Sequence, residues 1–278
     1  MKSKVVTGLY FAYKWNNDMK TVKDTDSSNN WKEAETIVQD RVSEDYEEVR
    51  YQLKHSRHYH SWWTRTMVDM LSASNVSGEL LDNGCGNGLL GLVYPEIKER
   101  ITGLDISSNM IEKAKSRLGK AIVGDSENLP FEDESFNAVV ARSLLHHLPD
   151  PQKGISEMAR VLKTGGELVI ADTNKSVLSE LPRKIANQGE HFHDDHQNME
   201  STSLIDALAK KFTIDRVQYF GYVAYPVLGF PDLINFSKYL PIPTVVADGL
   251  ISLDKMVSKV PGLNRLGWGI FVKGTKKG

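Results

Sequence analysis

Residues Glu79-Leu-Leu-Asp-Asn-Gly-Cys-Gly-Asn-Gly88 decide how the rest of the chain is read. Leu80 and Leu81 read as the end of a buried strand, and Leu89-Leu90 can open a helix. Between them stand Asp82 and glycines at 84, 86 and 88. Glycine at alternate positions lets the backbone turn sharply and approach a ligand, because no Cβ stands in the way. A helix starting there turns its unpaired N–H groups toward the same spot. The stretch predicts a nucleotide-like ligand on a strand–turn–helix.

Outward from this turn the chain alternates. Strands are expected at Glu79–Asp82, Ile101–Asp105, Ala121–Val123, Phe136–Ala141 and Glu167–Asp172. Helices are expected at Leu89–Lys98, Ser107–Leu118 and Pro151–Leu162, the last ended by the turn Lys163-Thr-Gly-Gly166. A helix at Ser203–Lys211 and strands at Phe212–Tyr219 and Trp268–Thr275 follow. This spacing means an α/β fold, a doubly wound, mostly parallel sheet covered on both faces. In such sheets ligands sit beyond the carboxyl ends of the strands.

Two regions depart from the alternation. Residues 1–75 form an N-terminal cap, helical from Trp31 to Met70, whose segment Tyr51–Trp63 is dense in His, Tyr, Arg and Trp. Its aromatic face either packs on the core or faces a ligand. Residues 222–266 interrupt the core (76–221 and 267–278) and carry prolines at 226, 231, 241, 243 and 261 together with an amphipathic stripe from Val245 to Val260. We expect this insertion to act as a substrate lid.

Composition narrows the partners. A net charge of −2 offers no electrostatic case for nucleic acid. The single cysteine, Cys85, excludes an internal disulfide and a cysteine-based zinc cluster. No run of 18 apolar residues predicts a transmembrane helix, and the N-terminus lacks the pattern of a signal peptide, so a cytoplasmic location is expected. The insertion also allows peripheral contact with a membrane surface.

Asp105 lies 23 residues after Asp82, at the carboxyl end of the second strand. A carboxylate there can accept ribose hydroxyls, which suits a nicotinamide cofactor or S-adenosylmethionine. The dinucleotide fingerprint needs glycine at its sixth position, but counting from Gly84 that position is Leu89. Asp82 would also place negative charge beside a pyrophosphate, and suits a cationic ligand terminus better. A nicotinamide oxidoreductase is therefore disfavoured.

Asp82–Gly88, Gly103–Ser107, Gly124–Phe131, Phe136–Leu148 and Glu157–Ile170 together resemble, in order, the motifs of class I S-adenosylmethionine-dependent methyltransferases. The resemblance covers roughly residues 75–220 and the last strand, and is nearest the small-molecule branch that includes quinone-ring methyltransferases. It implies a seven-stranded Rossmann-like sheet, S-adenosylmethionine as cofactor and S-adenosylhomocysteine as product. It implies that Gly84, Cys85 and Gly86 pass under the methionine part, with Asp82 near its amino group. Asp105 would hold the ribose diol, with Ile106 against the adenine. Asp125 would receive the adenine amino group, with Ser126 beside it, and Ala141 and Arg142 would border the sulfur. Asp125 as a turn cap and Asp105 as a helix cap are the structural alternatives.

The expected reaction is methyl transfer to a small organic acceptor through an O, N or C nucleophile. A catalytically inactive cofactor-binding module acting as a partner or regulator is the alternative. A hydroxyl acceptor would require a general base, for which His146, His147 and His193 are candidates. His191, His193 and His196 are read as pocket lining in preference to a metal site. Tyr59, Trp63, Tyr222 and Tyr225 are further candidates for the acceptor side.

Overall fold

The computed structural model describes residues 31–40, 43, 53–180, 200–229 and 242–278. Seven strands form one sheet: β1 Leu80–Asn83, β2 Ile101–Asp105, β3 Lys120–Val123, β4 Phe136–Arg142, β5 Leu162–Thr173, β6 Phe212–Phe220 and β7 Gly269–Lys276. Their order is β3-β2-β1-β4-β5-β7-β6. The first five run parallel, and β7 lies antiparallel between β5 and β6. This is the Rossmann-like methyltransferase fold. The chain leaves β1 in one direction and β4 in the other, so the carboxyl ends of β1, β2 and β4 meet at the crevice where this topology places ligands.

The helices are α1 (31–40), α2 Lys54–Val68, α3 Leu89–Val93, α4 Ser108–Ala114, α5 Pro151–Val161, α6 Ser201–Ala209 and α7 Thr244–Val257. The central strands carry buried apolar runs because both faces are covered. Leu80, Val140, Val169 and Phe271 point into one core with α2 and α7, while Leu81, Val139, Leu168 and Val272 point into the other. Alternate residues serve opposite layers, as the strand period of two requires.

Several boundaries differ from the sequence expectation for physical reasons. The helix after β1 stops at Val93 instead of Lys98, because Pro95 drives Tyr94 out of helical geometry to φ −128°, ψ 67°. The helix after β2 begins at Ser108, with the Ser107 hydroxyl accepting the Met110 N–H, and ends at Ala114. The stretch Lys163–Gly166 belongs to β5 as a bulge: Phe136 pairs with Leu162, and register resumes at Ala138 with Glu167. Gly165 takes φ +74° there. The N-terminal region holds two separate described helices, α1 and α2. His191, His193 and His196 lie outside the described residues, so the pocket lining and base expected of them are not described here.

The insertion is tied to the core through α2. Tyr225–Gly229 forms a π-turn packed on Tyr59, whose ring centroid is 6.2 Å from that of Tyr225. Lys255 lies over the Trp62 ring at 5.8 Å, and His58 pairs with Asp248 at 2.7 Å.

Candidate cofactor and active site

The glycine turn is built by backbone geometry that other residues adopt at a cost. Gly84, Gly86 and Gly88 have φ of 72°, 51° and 78°. The N–H groups of Gly84 and Cys85 both donate to the Leu104 carbonyl, at 2.8 and 3.0 Å, which pins the turn to β2. The Gly86 N–H donates to Asp105 Oδ2 at 2.8 Å, and the Ser107 N–H to Oδ1 at 3.0 Å. Asp105 therefore shapes the glycine turn and the approach to α4, whose N-cap is Ser107. Each carboxylate oxygen has a second lone pair, so these bonds leave it able to accept hydroxyl hydrogens. A Cβ at Gly86 would meet nothing within 4 Å. The backbone there faces open space.

Beside the turn lies a pocket lined by Asp82, Gly84, Cys85 and Arg142 on the sheet side and by Thr64 and Met67 of α2. Asp82 is buried, and its carboxyl is pushed up to about 7. Burial is the main cause, Arg142 opposes it and Asp105 adds to it. Arg142 lies over the Trp63 ring at 5.5 Å and within 3.4 Å of His60 Nδ1. The Thr64 hydroxyl is buried with no hydrogen-bond partner among the described residues. A ligand bearing both ammonium and carboxylate would find complementary groups in Asp82 and in Arg142 with Thr64. The donor set thus fits the methionyl end of S-adenosylmethionine.

On the adenosine side, Asp125 Oδ1 accepts the Glu127 N–H at 2.8 Å and Oδ2 pairs with Lys32 at 2.7 Å. The turn-capping alternative for Asp125 is thus present, with a cation from α1 added. The Ser126 hydroxyl donates to Asn83 Oδ1 at 2.8 Å and ties this loop to β1. Ile106 is half-buried just beyond β2, and Ala141 is buried in β4 between Asn83 and Ile170. Helix α1 crosses above these strand ends. Trp31 Nε1 donates to the His147 carbonyl at 3.2 Å, Lys32 also reaches Glu127 at 2.7 Å, and Asp40 accepts the Ser107 hydroxyl at 2.5 Å.

The paired histidines follow β4 and their rings are in contact, with centroids 4.1 Å apart and planes tilted by 40°. Each faces its own acid. His146 Nδ1 meets Asp172 Oδ1 at 2.5 Å, and His147 Nδ1 lies 3.1 Å from Glu35 of α1. Burial would raise the Asp172 carboxyl, but His146 and the N–H groups of Thr173 and Leu145 hold it below the usual range. The ionised carboxylate fixes the proton of a neutral His146 on Nδ1 and leaves the lone pair on Nε2.

On the acceptor side, Tyr59 and Trp63 are buried among Phe220, Phe271 and Tyr225. The core-packing reading holds for most of their surface. Tyr59 Oη and Trp63 Nε1 nevertheless have no hydrogen-bond partner among the described residues. Tyr222 is buried and donates its hydroxyl to the Asn264 carbonyl at 2.6 Å, while half-buried Tyr225 packs on Trp268.

Sequence reasoning missed Asp172, Lys32, Glu35 and Thr64. Asp172 had a signal: like Asp82 and Asp105, it is an acid ending an apolar strand. Lys32 and Glu35 had none, since only the tertiary path of α1 brings them to the site.

Residues 81–170 match the family described as Methyltransferase domain. A demethylmenaquinone methyltransferase of Desulfitobacterium hafniense (strain Y51) is 38% identical over 127 residues, 42% of this chain and 50% of the relative. A 27-O-demethylrifamycin SV methyltransferase of Amycolatopsis mediterranei (strain S699) is 33% identical over 136 residues, 41% of this chain and 50% of the relative. The chain thus spans about half the length of these curated relatives. Among solved structures, a SAM-dependent methyltransferase of Thermotoga maritima, described as a possible histamine N-methyltransferase, superposes with TM-score 0.60. It is 22% identical, and the match covers 87% of this chain and 100% of that one. In fold across the sheet, and in sequence over residues 81–170, the chain is similar to the class I S-adenosylmethionine-dependent methyltransferases.

Proposed function

We propose that this protein transfers a methyl group from S-adenosylmethionine to a small organic acceptor, with His146 as general base. The observation that carries this reading is the His146–Asp172 contact of 2.5 Å at the carboxyl ends of β4 and β5, the end of the sheet that also carries Asp82 and Asp105. The cofactor, when bound, supplies an electrophilic methyl on a sulfonium. Asp82 and Arg142 orient its methionyl end, Asp105 its ribose, and the α2 face excludes water. His146 Nε2 takes the proton that an O–H, N–H or acidic C–H acceptor loses as the new bond to methyl forms, and Asp172 stabilises the imidazolium. Relatives named for demethylmenaquinone and 27-O-demethylrifamycin SV support a small organic acceptor. Residues 222–266 and α2 are read as the roof on the acceptor side, because Thr64 and Met67 line the pocket while Tyr59 and Trp62 of the same helix hold the insertion.

The test combines binding with turnover. S-adenosylhomocysteine at 100 times its dissociation constant should stabilise the protein by about 2.7 kcal/mol, and NAD should not. Release of S-adenosylhomocysteine with a panel of phenols, amines and hydroquinones then reports the enzyme. Binding without release from any acceptor would favour the inactive module.

A second feature supports peripheral membrane contact. Val245, Val246, Leu253 and Met256 share the outer face of α7, with Val245 80% and Met256 61% exposed. Lys255 and Lys259 flank that stripe, the pattern of a helix lying on an anionic surface. Among the described residues no helix is long and apolar enough to cross a membrane. Sedimentation with anionic vesicles should be lost on Val245→Glu plus Met256→Glu; an intact protein that stays in the supernatant sinks this reading.

A further inference from the structure

The reading above uses His146 and Asp172 but leaves a second histidine–acid pair in contact with them. Glu35 is buried on α1 and lies against His147, whose ring touches that of His146. The four groups form a continuous chain of contacts: Asp172 at 2.5 Å from His146, the His146 ring 4.1 Å from the tilted His147 ring, and His147 at 3.1 Å from Glu35. The outer acid comes from a different part of the chain, seated by Trp31 on the His147 carbonyl and by Lys32 on Asp125 and Glu127.

Two histidines in ring contact do not both carry a proton cheaply, because like charges at this distance repel strongly away from bulk water. A buried histidine with its own carboxylate tends to become imidazolium. If both pairs did so, His146 would arrive already protonated and useless as a base. We propose that Glu35 is a positioning residue for the base: it holds a proton on His147, and that charge, in ring contact with His146, keeps His146 in the neutral form that receives the acceptor's proton. Helix α1 then completes the active site by delivering the carboxylate that sets the charge of the pair.

The surroundings of each ring agree with this division. For His147, burial works against the proton, but Glu35 dominates the rest, with Asp172 and Asp105 adding to it, and the balance lies above the ordinary histidine value. For His146, burial and the His147 charge outweigh Asp172 and the more distant Glu35, and the balance lies below it. The charged groups facing the rings are thus Asp172 from β5, Glu35 from α1 and Asp105 from β2. The inference rests on His146 being the base, yet its test reads the protonation of the rings themselves and so can fail independently of methyl transfer.

The experiment is a pH titration of the full chain labelled with ¹⁵N-histidine, followed by two-bond proton–nitrogen spectra and assigned with His146→Gln and His147→Gln. In the unsubstituted protein His147 should titrate at higher pH than His146. Glu35→Gln should move the His147 midpoint down by about one pH unit, Glu35→Asp should restore much of it, and His147→Gln should move the His146 midpoint up. S-adenosylhomocysteine binding reports that each variant is folded. A His147 midpoint unmoved by Glu35→Gln, or a His146 midpoint unmoved by His147→Gln, would overturn the proposal.

Discussion

Asp254, buried on α7, accepts the backbone N–H of Gly221 at 3.0 Å, and with the same carboxylate those of Tyr222, Val223 and Ala224 at 2.9 to 3.3 Å. One side chain in the insertion thus caps four successive N–H groups where the chain leaves β6. These are the donors that a helix start leaves unpaired, and a carboxylate there also meets the positive end of the turn's dipole. Asp254→Ala should therefore cost about 3 kcal/mol in urea denaturation and open residues 222–266 to limited proteolysis. Unchanged stability and an unchanged cleavage pattern would show that the insertion is held by apolar packing alone.

If Asp82 meets the ligand's ammonium group as proposed, its ionisation is coupled to ligand binding. It is pushed up to about 7 in the protein, against 3.8 ordinarily. An ammonium group placed beside it favours the ionised form, so binding should release a proton near neutral pH. S-adenosylhomocysteine affinity should rise by up to about tenfold per pH unit between pH 6 and 7 and flatten above 8. Calorimetry in two buffers of different ionisation enthalpy measures the proton; an Asp82→Asn variant should show none.

The same burial acts in the opposite sense on the unliganded protein. A carboxyl raised on folding contributes stability that is fully present below about pH 4 and is lost as pH rises through about 7. Unliganded Asp82→Asn should consequently gain on the unsubstituted protein at pH 8 relative to pH 5, read as the difference in denaturation midpoint.

His146→Ala and Asp172→Asn should each lower kcat/KM by about 10² to 10⁴ while leaving S-adenosylhomocysteine binding within a few-fold. Both rates come from product release with whichever acceptor the panel identifies. Equal loss of binding in these variants would place the pair in the cofactor site instead of the chemistry.

Gly86 separates strain from obstruction. Its φ of +51° makes any side chain cost about 1 kcal/mol, yet no atom lies within 4 Å of its would-be Cβ. Gly86→Ala should lose only about this much stability but far more ligand affinity, because the added methyl enters the space above the turn. Affinity preserved to within a few-fold would move the ligand elsewhere.

The sheet was legible in the chain because its signals are local. Apolar runs ended by Asp82, Asp105 and Asp125-Ser126, helix starts at Ser107 and Pro151, and glycines at 84, 86 and 88 each act within a few residues. Helix ends were less legible where a single residue overrides periodicity, as Pro95 does by stopping α3 at Val93. The roles of individual acids were the least legible. Asp125 reads alike whether it caps a turn, binds a base or pairs with a lysine, and only the fold puts Lys32, 93 residues earlier, at 2.7 Å. The sequence by itself determined the parallel sheet, the cofactor turn and the class of ligand. The tertiary structure alone decided which acid faces which histidine, since Asp172 meets His146 across adjacent strands and Glu35 reaches His147 from a helix whose Trp31 bonds a carbonyl 116 residues away. Backbone patterning follows from short-range sterics and periodicity, whereas charge pairing depends on where distant segments come to rest.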